Sequence, residues 1–226
     1  MKREVITTAD GSKTIRIEEW NEQYHSKHGA LQEALHVFIK NGLCFYTKEF
    51  IHSANTNISI LEIGFGTGLN ALLTAIQAEK LQVNIDYVGV EAFPVLSEEL
   101  NQLNYGEILP ENTKEIFKAI HSTEWEKPCH ITSNFTLLKR KQIFEDITDQ
   151  NSYDIIYFDA FGARVQPELW TKEIFEIMFR ALHPKGVLVT YAAIGKVKRD
   201  MKAIGFEVER LQGPPGKRHM MRAVKP

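Results

Sequence analysis

Three acidic residues each close an apolar run, and the first of them leads into a cluster of glycines. Glu62 stands near the end of Ile58-Ser-Ile-Leu-Glu-Ile63, which passes into Gly64-Phe65-Gly66-Thr67-Gly68-Leu69-Asn70. Alternating glycines let the backbone touch a ligand and present N–H groups at the start of the following helix, where side chains would collide. A turn of this kind is suited to holding a cofactor. Glu91 closes Tyr87-Val-Gly-Val-Glu91 about 25 residues beyond the glycines. That is near the distance at which an acid reaches ribose hydroxyls in nucleotide-binding sheets, and one carboxylate can accept from both hydroxyls. Asp159 closes Asp154-Ile-Ile-Tyr-Phe-Asp159 and is followed by an aromatic, Phe161.

Spacing narrows the choice of cofactor. Dinucleotide folds use GxGxxG and seat a pyrophosphate on the helix N-terminus. Here the order is GxGxG, with an acid two residues ahead of it. Glu62 would repel a pyrophosphate and suits a ligand carrying an ammonium and a sulfonium, which describes S-adenosylmethionine. That cofactor is expected against Glu62, Gly64, Phe65, Gly66, Thr67, Gly68, Asn70 and Glu91. The carboxyl end of a central strand overlooks the ligand crevice of an open α/β sheet, so Asp159 is the expected catalytic residue and a further cofactor contact. Methyl transfer requires a nucleophile in line with the sulfonium carbon, and the protein must position it, desolvate it and keep an amine unprotonated. Asp159 could accept the amine N–H or take its proton. Phe161, Trp170 and Tyr191 are candidates to wall the pocket and stack on a planar substrate, although each of these aromatics is more often core packing.

Such residues must be presented by strands and helices in register. Short apolar runs alternate with amphipathic segments, the signature of a parallel sheet covered on both faces. Strands are expected at Ile58–Ile63, Ile85–Val90, Tyr153–Phe158 and Gly186–Tyr191, and helices at Gly68–Glu79, Ser97–Leu103, Asn112–His121, Pro167–Leu182 and Ile194–Ile204. Glu207–Leu211 and His219–Val224 flank Gly213-Pro-Pro-Gly216 and read as a terminal antiparallel pair. Ahead of this core, Glu4–Thr8 and Thr14–Ile17 flank Asp10-Gly11 as a hairpin. A helix carrying Leu31, Ala34, Leu35, Phe38 and Ile39 is expected to stop at Asn41-Gly42, with a short helix over 45–54 after it. The expected architecture is α/β and Rossmann-like: a seven-stranded, mostly parallel sheet with an antiparallel C-terminal strand. Residues 1–55 form a hairpin and helical cap integrated with a core at 56–226.

Composition fits a single globular domain, with 226 residues of which 43% are hydrophobic and 25% charged. No apolar run approaches the roughly 20 residues of a bilayer helix, and the start resembles no secretory leader, so a soluble, cytoplasmic protein with no membrane partner is expected. Cys44 and Cys129 lack paired spacing and read as buried free thiols. His25, His28 and His36 recur without a ligand pattern, so no metal is expected, and neither a Gly-x-Ser-x-Gly elbow nor a P-loop is present. The net charge of −2 excludes a surface that is basic throughout. From Lys185 onward, however, ten Lys/Arg face three acids. This local excess is either a solvated face or a footprint for a polyanion, with Lys196, Lys198, Arg199, Lys217 and Arg218 as candidate RNA contacts.

Several stretches together resemble one family, the methyltransferase module of the bacterial enzyme that makes 5-methylaminomethyl-2-thiouridine at the tRNA wobble position (MnmC-like). They are LEIGFGTGLNALLT (61–74), FDAFGARVQPELWT (158–171), GFEVERLQGPPGKRHMMRA (205–223) and YHSKHGALQEALHVFIKNGL (24–43). The glycine loop alone indicates a class I methyltransferase. The DAF-x5-PELWT continuation and the QEALHVF helix specify the family. The resemblance implies methyl transfer from S-adenosylmethionine to the 5-aminomethyl nitrogen of wobble (2-thio)uridine in a tRNA anticodon loop. It assigns Gly64, Gly66, Gly68 and Glu91 to the cofactor and Asp159 to the space between cofactor and amine, and it adds Tyr24 and Glu33 as pocket residues. The bifunctional enzyme carries a second, flavin-dependent module that this sequence lacks, so it resembles a stand-alone version, and whether a separate oxidoreductase supplies the aminomethyl precursor stays open. Which residue of 137–146 meets adenine stays open. Alternatives are a methyltransferase for a small-molecule amine and a non-catalytic RNA-binding module of the same fold.

Overall fold

In the computed structural model, which describes residues 2–54, 56–110 and 112–226, the apolar runs pair side by side. The strands β4 (Asn57–Ile63), β5 (Asn84–Val90), β7 (Phe135–Arg140), β8 (Tyr153–Phe158) and β9 (Leu182–Thr190) form a parallel array ordered β9-β8-β4-β5-β7. Beyond β9 lie β11 (His219–Val224) and then β10 (Glu207–Gln212), each antiparallel to its neighbour. At the other edge β6 (Cys129–Thr132) pairs antiparallel with β7. The sheet therefore has eight strands, one more than expected. The sequence signal missed β6 and β7 because FTLLKR alternates buried and half-buried residues and β6 is short and exposed. Cys129 lies on that exposed strand and Cys44 is half-buried, so neither is the buried thiol expected.

Helices cover both faces because the central strands are apolar on both. One face packs beneath α3 (Leu69–Leu81), with Leu69, Leu72 and Ala75 against Ile60 and Tyr87. The other packs beneath α7 (Lys172–Ala181) and α8 (Gly195–Ile204), with Phe175, Met178 and Met201 against Phe158 and Leu188. Each buried Leu, Ile, Phe or Met among them contributes roughly 1.5–3 kcal/mol on burial. The connection after β5 carries α4 (Ser97–Leu100), α5 (Tyr105–Ile108) and α6 (Thr113–Ser122). Pro167–Trp170 is a separate 3-10 turn, so the helix expected from Pro167 begins only at Lys172.

The N-terminal segment holds a small sheet of β1 (Arg3–Thr7), β2 (Lys13–Ile17) and β3 (Glu22–Gln23), with β1 and β2 paired as the Asp10-Gly11 turn predicts. α1 (Ala30–Ala34) does not stop at Asn41-Gly42. It runs on through wide π-type turns over Leu35–Cys44 into α2 (Phe45–Phe50). Gly42 is used here as a contact point. A Cβ at this position would stand 3.0 Å from Tyr157 and 3.1 Å from Val189, so the bare backbone lets the helix lie flat on the sheet. Tertiary packing overrides the local stop signal. The boundary expected at residue 55 lies outside the described residues.

Candidate active site

The sheet order places the site. β4 leads through α3 to β5 on one side and β8 leads through α7 to β9 on the other, so the connections part above the carboxyl ends of β4 and β8 and leave a crevice there. Short backbone bonds tie the strand ends together. The Asp159 N–H donates to Ile63 O at 2.9 Å, and the Gly64 and Phe65 N–H groups both donate to Val90 O at 3.0 Å. Gly64 holds φ +87°, and a Cβ on it would stand 2.8 Å from the Asp159 carbonyl oxygen, so only glycine passes this point unstrained.

A cavity of about 600 Å3 opens over this turn. Glu62, Asn70 and Asp159 share one polar cluster on its wall. Asn70 Nδ2 donates to Glu62 Oε1 and to Asp159 Oδ2, both at 2.9 Å, which fixes two carboxylates beside each other. Burial pushes the Glu62 carboxyl well up, and the nearby Asp159 charge adds to the effect. Asp159 is likewise raised well above the ordinary carboxylate range, first by burial and then by the charge of Glu33. Among the described residues Glu62 Oε2 and Asn70 Oδ1 have no partner, although both atoms are buried. Two orphaned acceptors beside a glycine turn fit a ligand bearing an ammonium group, because a buried acceptor without a donor is costly. Glu91 Oε2 accepts from the Gly66 N–H at 3.0 Å and Oε1 from the Phe93 N–H at 2.9 Å, leaving lone pairs for hydroxyls.

The N-terminal segment supplies the opposite wall. Tyr24 and Trp20 meet Phe161 edge to face, with centroids 4.9 and 5.5 Å apart. The segment is clasped by Arg164, whose Nη2 donates to Glu22 Oε2 and to Trp20 O at 2.9 Å each. Glu33 pairs with Lys217 through Oε1 and accepts from the Ser26 N–H through Oε2 at 2.8 Å. The Lys217 ammonium lies 3.7 Å from the centroid of the Tyr191 ring, whose hydroxyl donates to Ala160 O at 2.9 Å. Tyr191, Glu33 and Asp159 thus face one space, lined by aromatic rings and carboxylates.

Most residues expected from the sequence meet here. Tyr24, Glu33, Glu62, Gly64, Phe65, Gly66, Asn70, Glu91, Asp159, Phe161 and Tyr191 all line the cavity. Others do not. Thr67 and Gly68 lie outside the lining and shape the turn instead: Thr67 Oγ1 meets His25 Nε2 at 2.7 Å, and Gly68 caps α3 at φ +71°. Trp170 is buried against Phe158 and Phe175, and its Nε1–H donates to Phe161 O at 2.7 Å, so it supports the wall without forming it. Lys217, expected on a polyanion surface, points into the cavity. Lys196, Lys198 and Arg199 sit on α8 away from the lining, with Lys196 held by Asp200 at 2.7 Å. Of residues 137–146, only Ile143, Phe144 and Glu145, which follow β7, line the cavity. Missing β7 left these positions illegible. Arg3 and Trp20 were missed because nothing in the sequence aims the small sheet at the crevice. Among the described residues no group of three or more His, Cys, Asp or Glu could hold a metal ion.

His25 gives the site a pH response. Burial lowers its pKa to about 4 from an ordinary 6.5. A base with a depressed folded-state pKa contributes stability that is present above 6.5 and lost as pH falls toward 4. Acidification from pH 7 to 5 is expected to cost the wild type about 2 kcal/mol through this group alone. His25→Gln, which cannot take the proton, should lose that much less across the same interval in denaturant titrations. Equal losses in the two proteins would contradict a neutral buried imidazole.

Comparison with known proteins follows the same lines. A family model described as S-adenosyl-L-methionine-dependent methyltransferase matches residues 112–226. The tRNA 5-methylaminomethyl-2-thiouridine biosynthesis bifunctional protein MnmC of Nitrosospira multiformis is 27% identical over 216 residues, covering 90% of this chain and 34% of its own. The protein of the same name from Delftia acidovorans is 28% identical over 222 residues, covering 91% and 32%. This chain therefore spans about a third of the length of these relatives. Among solved structures, MNMC2 from Aquifex aeolicus superposes with a TM-score of 0.80 at 25% identity, over 100% of this chain and 71% of that one. A spermidine synthase matches at a TM-score of 0.55 and 13% identity, a likeness of fold alone.

Proposed function

Because the chain belongs to the S-adenosyl-L-methionine-dependent methyltransferases, we propose that its methyl acceptor is the 5-aminomethyl nitrogen of wobble (2-thio)uridine in a tRNA anticodon loop, giving 5-methylaminomethyl-2-thiouridine. The observation that carries this reading is Asp159, a carboxylate with a raised pKa set between the glycine turn and a wall of Tyr24, Phe161 and Tyr191. The names of the relatives matched over nine-tenths of the chain support the same acceptor.

Bound S-adenosylmethionine supplies an electrophilic methyl on a sulfonium. Glu62 and Asn70 would hold its ammonium end and Glu91 its ribose hydroxyls. Asp159 would accept the amine N–H, orient the nitrogen lone pair and take the proton released as the new N–C bond forms and the S–CH3 bond breaks to leave a neutral thioether, a role its raised pKa suits. Phe161, Tyr24 and Tyr191 would stack on a base splayed out of a single-stranded loop, at modest cost because that base is already unpaired. The basic face of α8, with Lys196, Lys198 and Arg199, is the proposed footprint for the loop backbone, together with Arg218. A separate oxidoreductase would deliver the aminomethyl precursor, and the reaction would take place in the cytoplasm with tRNA. No helix among the described residues is long and apolar enough to cross a membrane.

The test is direct. Purified protein with S-adenosylmethionine should convert 5-aminomethyl-2-thiouridine in tRNA to its methylated form, read by mass spectrometry of digested nucleosides. Turnover on free amines with none on that tRNA would replace this reading with a small-molecule methyltransferase. tRNA binding without cofactor uptake in calorimetry would replace it with a non-catalytic module.

A further inference from the structure

The segment 213–218 joins β10 to β11 as a strap with two sides. It closes on itself, with the Lys217 N–H donating to Pro214 O at 2.9 Å and the Gly213 N–H to Arg218 O at 3.2 Å. Its inner side seals the cavity. Gly216, at φ +82°, lies so close to the His28 ring that a Cβ would overlap it, and Lys217 reaches inward to Glu33 and Tyr191. Its outer side borders a second concavity, lined by residues 213–218 of the strap, Lys217 among them, and by His36, Lys40 and Gln212. His36 Nε2 meets Gln212 O at 2.8 Å, which pins the helical segment to the strap and fixes the shape of the groove.

The charge of this groove has one sign. No carboxylate lines it. Lys40 and Arg218 are both exposed, and among the described residues neither side chain has an ion-pair or hydrogen-bond partner. Lys196, by contrast, is paired with Asp200. Lys217 lines both the cavity and the groove, with its ammonium turned inward to Glu33, while Arg218 is exposed and lines the groove alone, so the strap is shared by the two concavities.

We infer that the groove bordered by His36, Lys40 and Arg218 is a phosphate-binding site for the RNA strand, holding the backbone beside the nucleotide whose base enters the cavity. This rests on the RNA reading above and adds to it His36 and Lys40, which lie 177 and 173 residues before Gly213 in the chain. Phosphate contacts of this kind set register and orientation without reading sequence. The groove makes the strap the dividing wall between methyl transfer and strand positioning.

The test is the Lys40→Ala/Arg218→Ala double variant, measured with an anticodon stem-loop bearing 5-aminomethyluridine. Its dissociation constant and KM for the RNA should rise about tenfold or more. The slope of log affinity against log salt should fall by roughly 1.4, at about 0.7 for each lost phosphate contact on a single strand. Affinity for S-adenosylmethionine and the melting temperature should hold, which separates lost RNA contact from misfolding. Lys40→Arg/Arg218→Lys should keep RNA affinity within about threefold. Unchanged affinity and salt slope in the alanine variant, with the wild type methylating the RNA, would overturn the groove and leave the acceptor assignment standing. A wild type that neither binds nor methylates the stem-loop would remove the acceptor assignment, and the groove with it.

Discussion

Asp159→Asn is expected to cut the methylation rate by two to four orders of magnitude, on the scale of losing a positioned base, while affinity for S-adenosylmethionine stays within about tenfold. The amide preserves shape and loses the ability to take a proton. Asn70 Nδ2 now donates to Asp159 Oδ2, and an asparagine oxygen can accept that bond in the same place, so the fold of the site should persist. The wild-type rate should fall as pH drops below the raised pKa of Asp159, because a protonated carboxyl can no longer accept the proton. The variant should lack that limb. Stopped-flow rates and calorimetry across pH check both parts. A parallel loss of rate and cofactor affinity would recast Asp159 as a cofactor-holding residue.

Gly64→Ala carries the second large effect, and its cause is steric. The residue sits at φ +87°, where an L side chain is strained by about 1–3 kcal/mol. The new Cβ would also stand 2.8 Å from the Asp159 carbonyl oxygen, which belongs to the backbone and has no rotamer to relax into. Relief requires β4 and β8 to separate at the level where the N–H groups of Gly64, Phe65 and Asp159 tie the strand ends together. Cofactor affinity should fall at least a hundredfold, by calorimetry, with a lowered melting temperature. Gly11→Ala is a control for backbone strain by itself, since Gly11 also has positive φ but a Cβ there meets nothing within 4 Å. It should lose stability and keep cofactor affinity. Intact affinity in Gly64→Ala would show that the turn tolerates a side chain and is not the cradle described here.

Much of this site was legible because its signals are local. A glycine turn after an apolar strand, and acids at strand ends, are readable over a dozen residues, and a parallel sheet brings strand ends together wherever the loops run. Glu62, Glu91 and Asp159 therefore converge as expected. Thr67 and Trp170, expected at the site, lie outside the cavity lining for a related reason. Sequence reports that a residue is near a site and leaves open which way its side chain turns, and these two turn to His25 and to Phe158.

The sequence by itself determined the alternating strand and helix order, the glycine turn and the acid beside it, since each follows from periodicity and residue type along a short stretch. Tertiary structure alone decided that the helix from Ala30 passes through Asn41-Gly42, that the small N-terminal sheet walls the cavity, and that Lys217 turns inward while Arg218 turns out. These outcomes depend on contacts between residues up to 184 positions apart, as in Glu33 and Lys217. Local propensities of a few tenths of a kcal/mol to about 1 kcal/mol yield to the burial such contacts achieve.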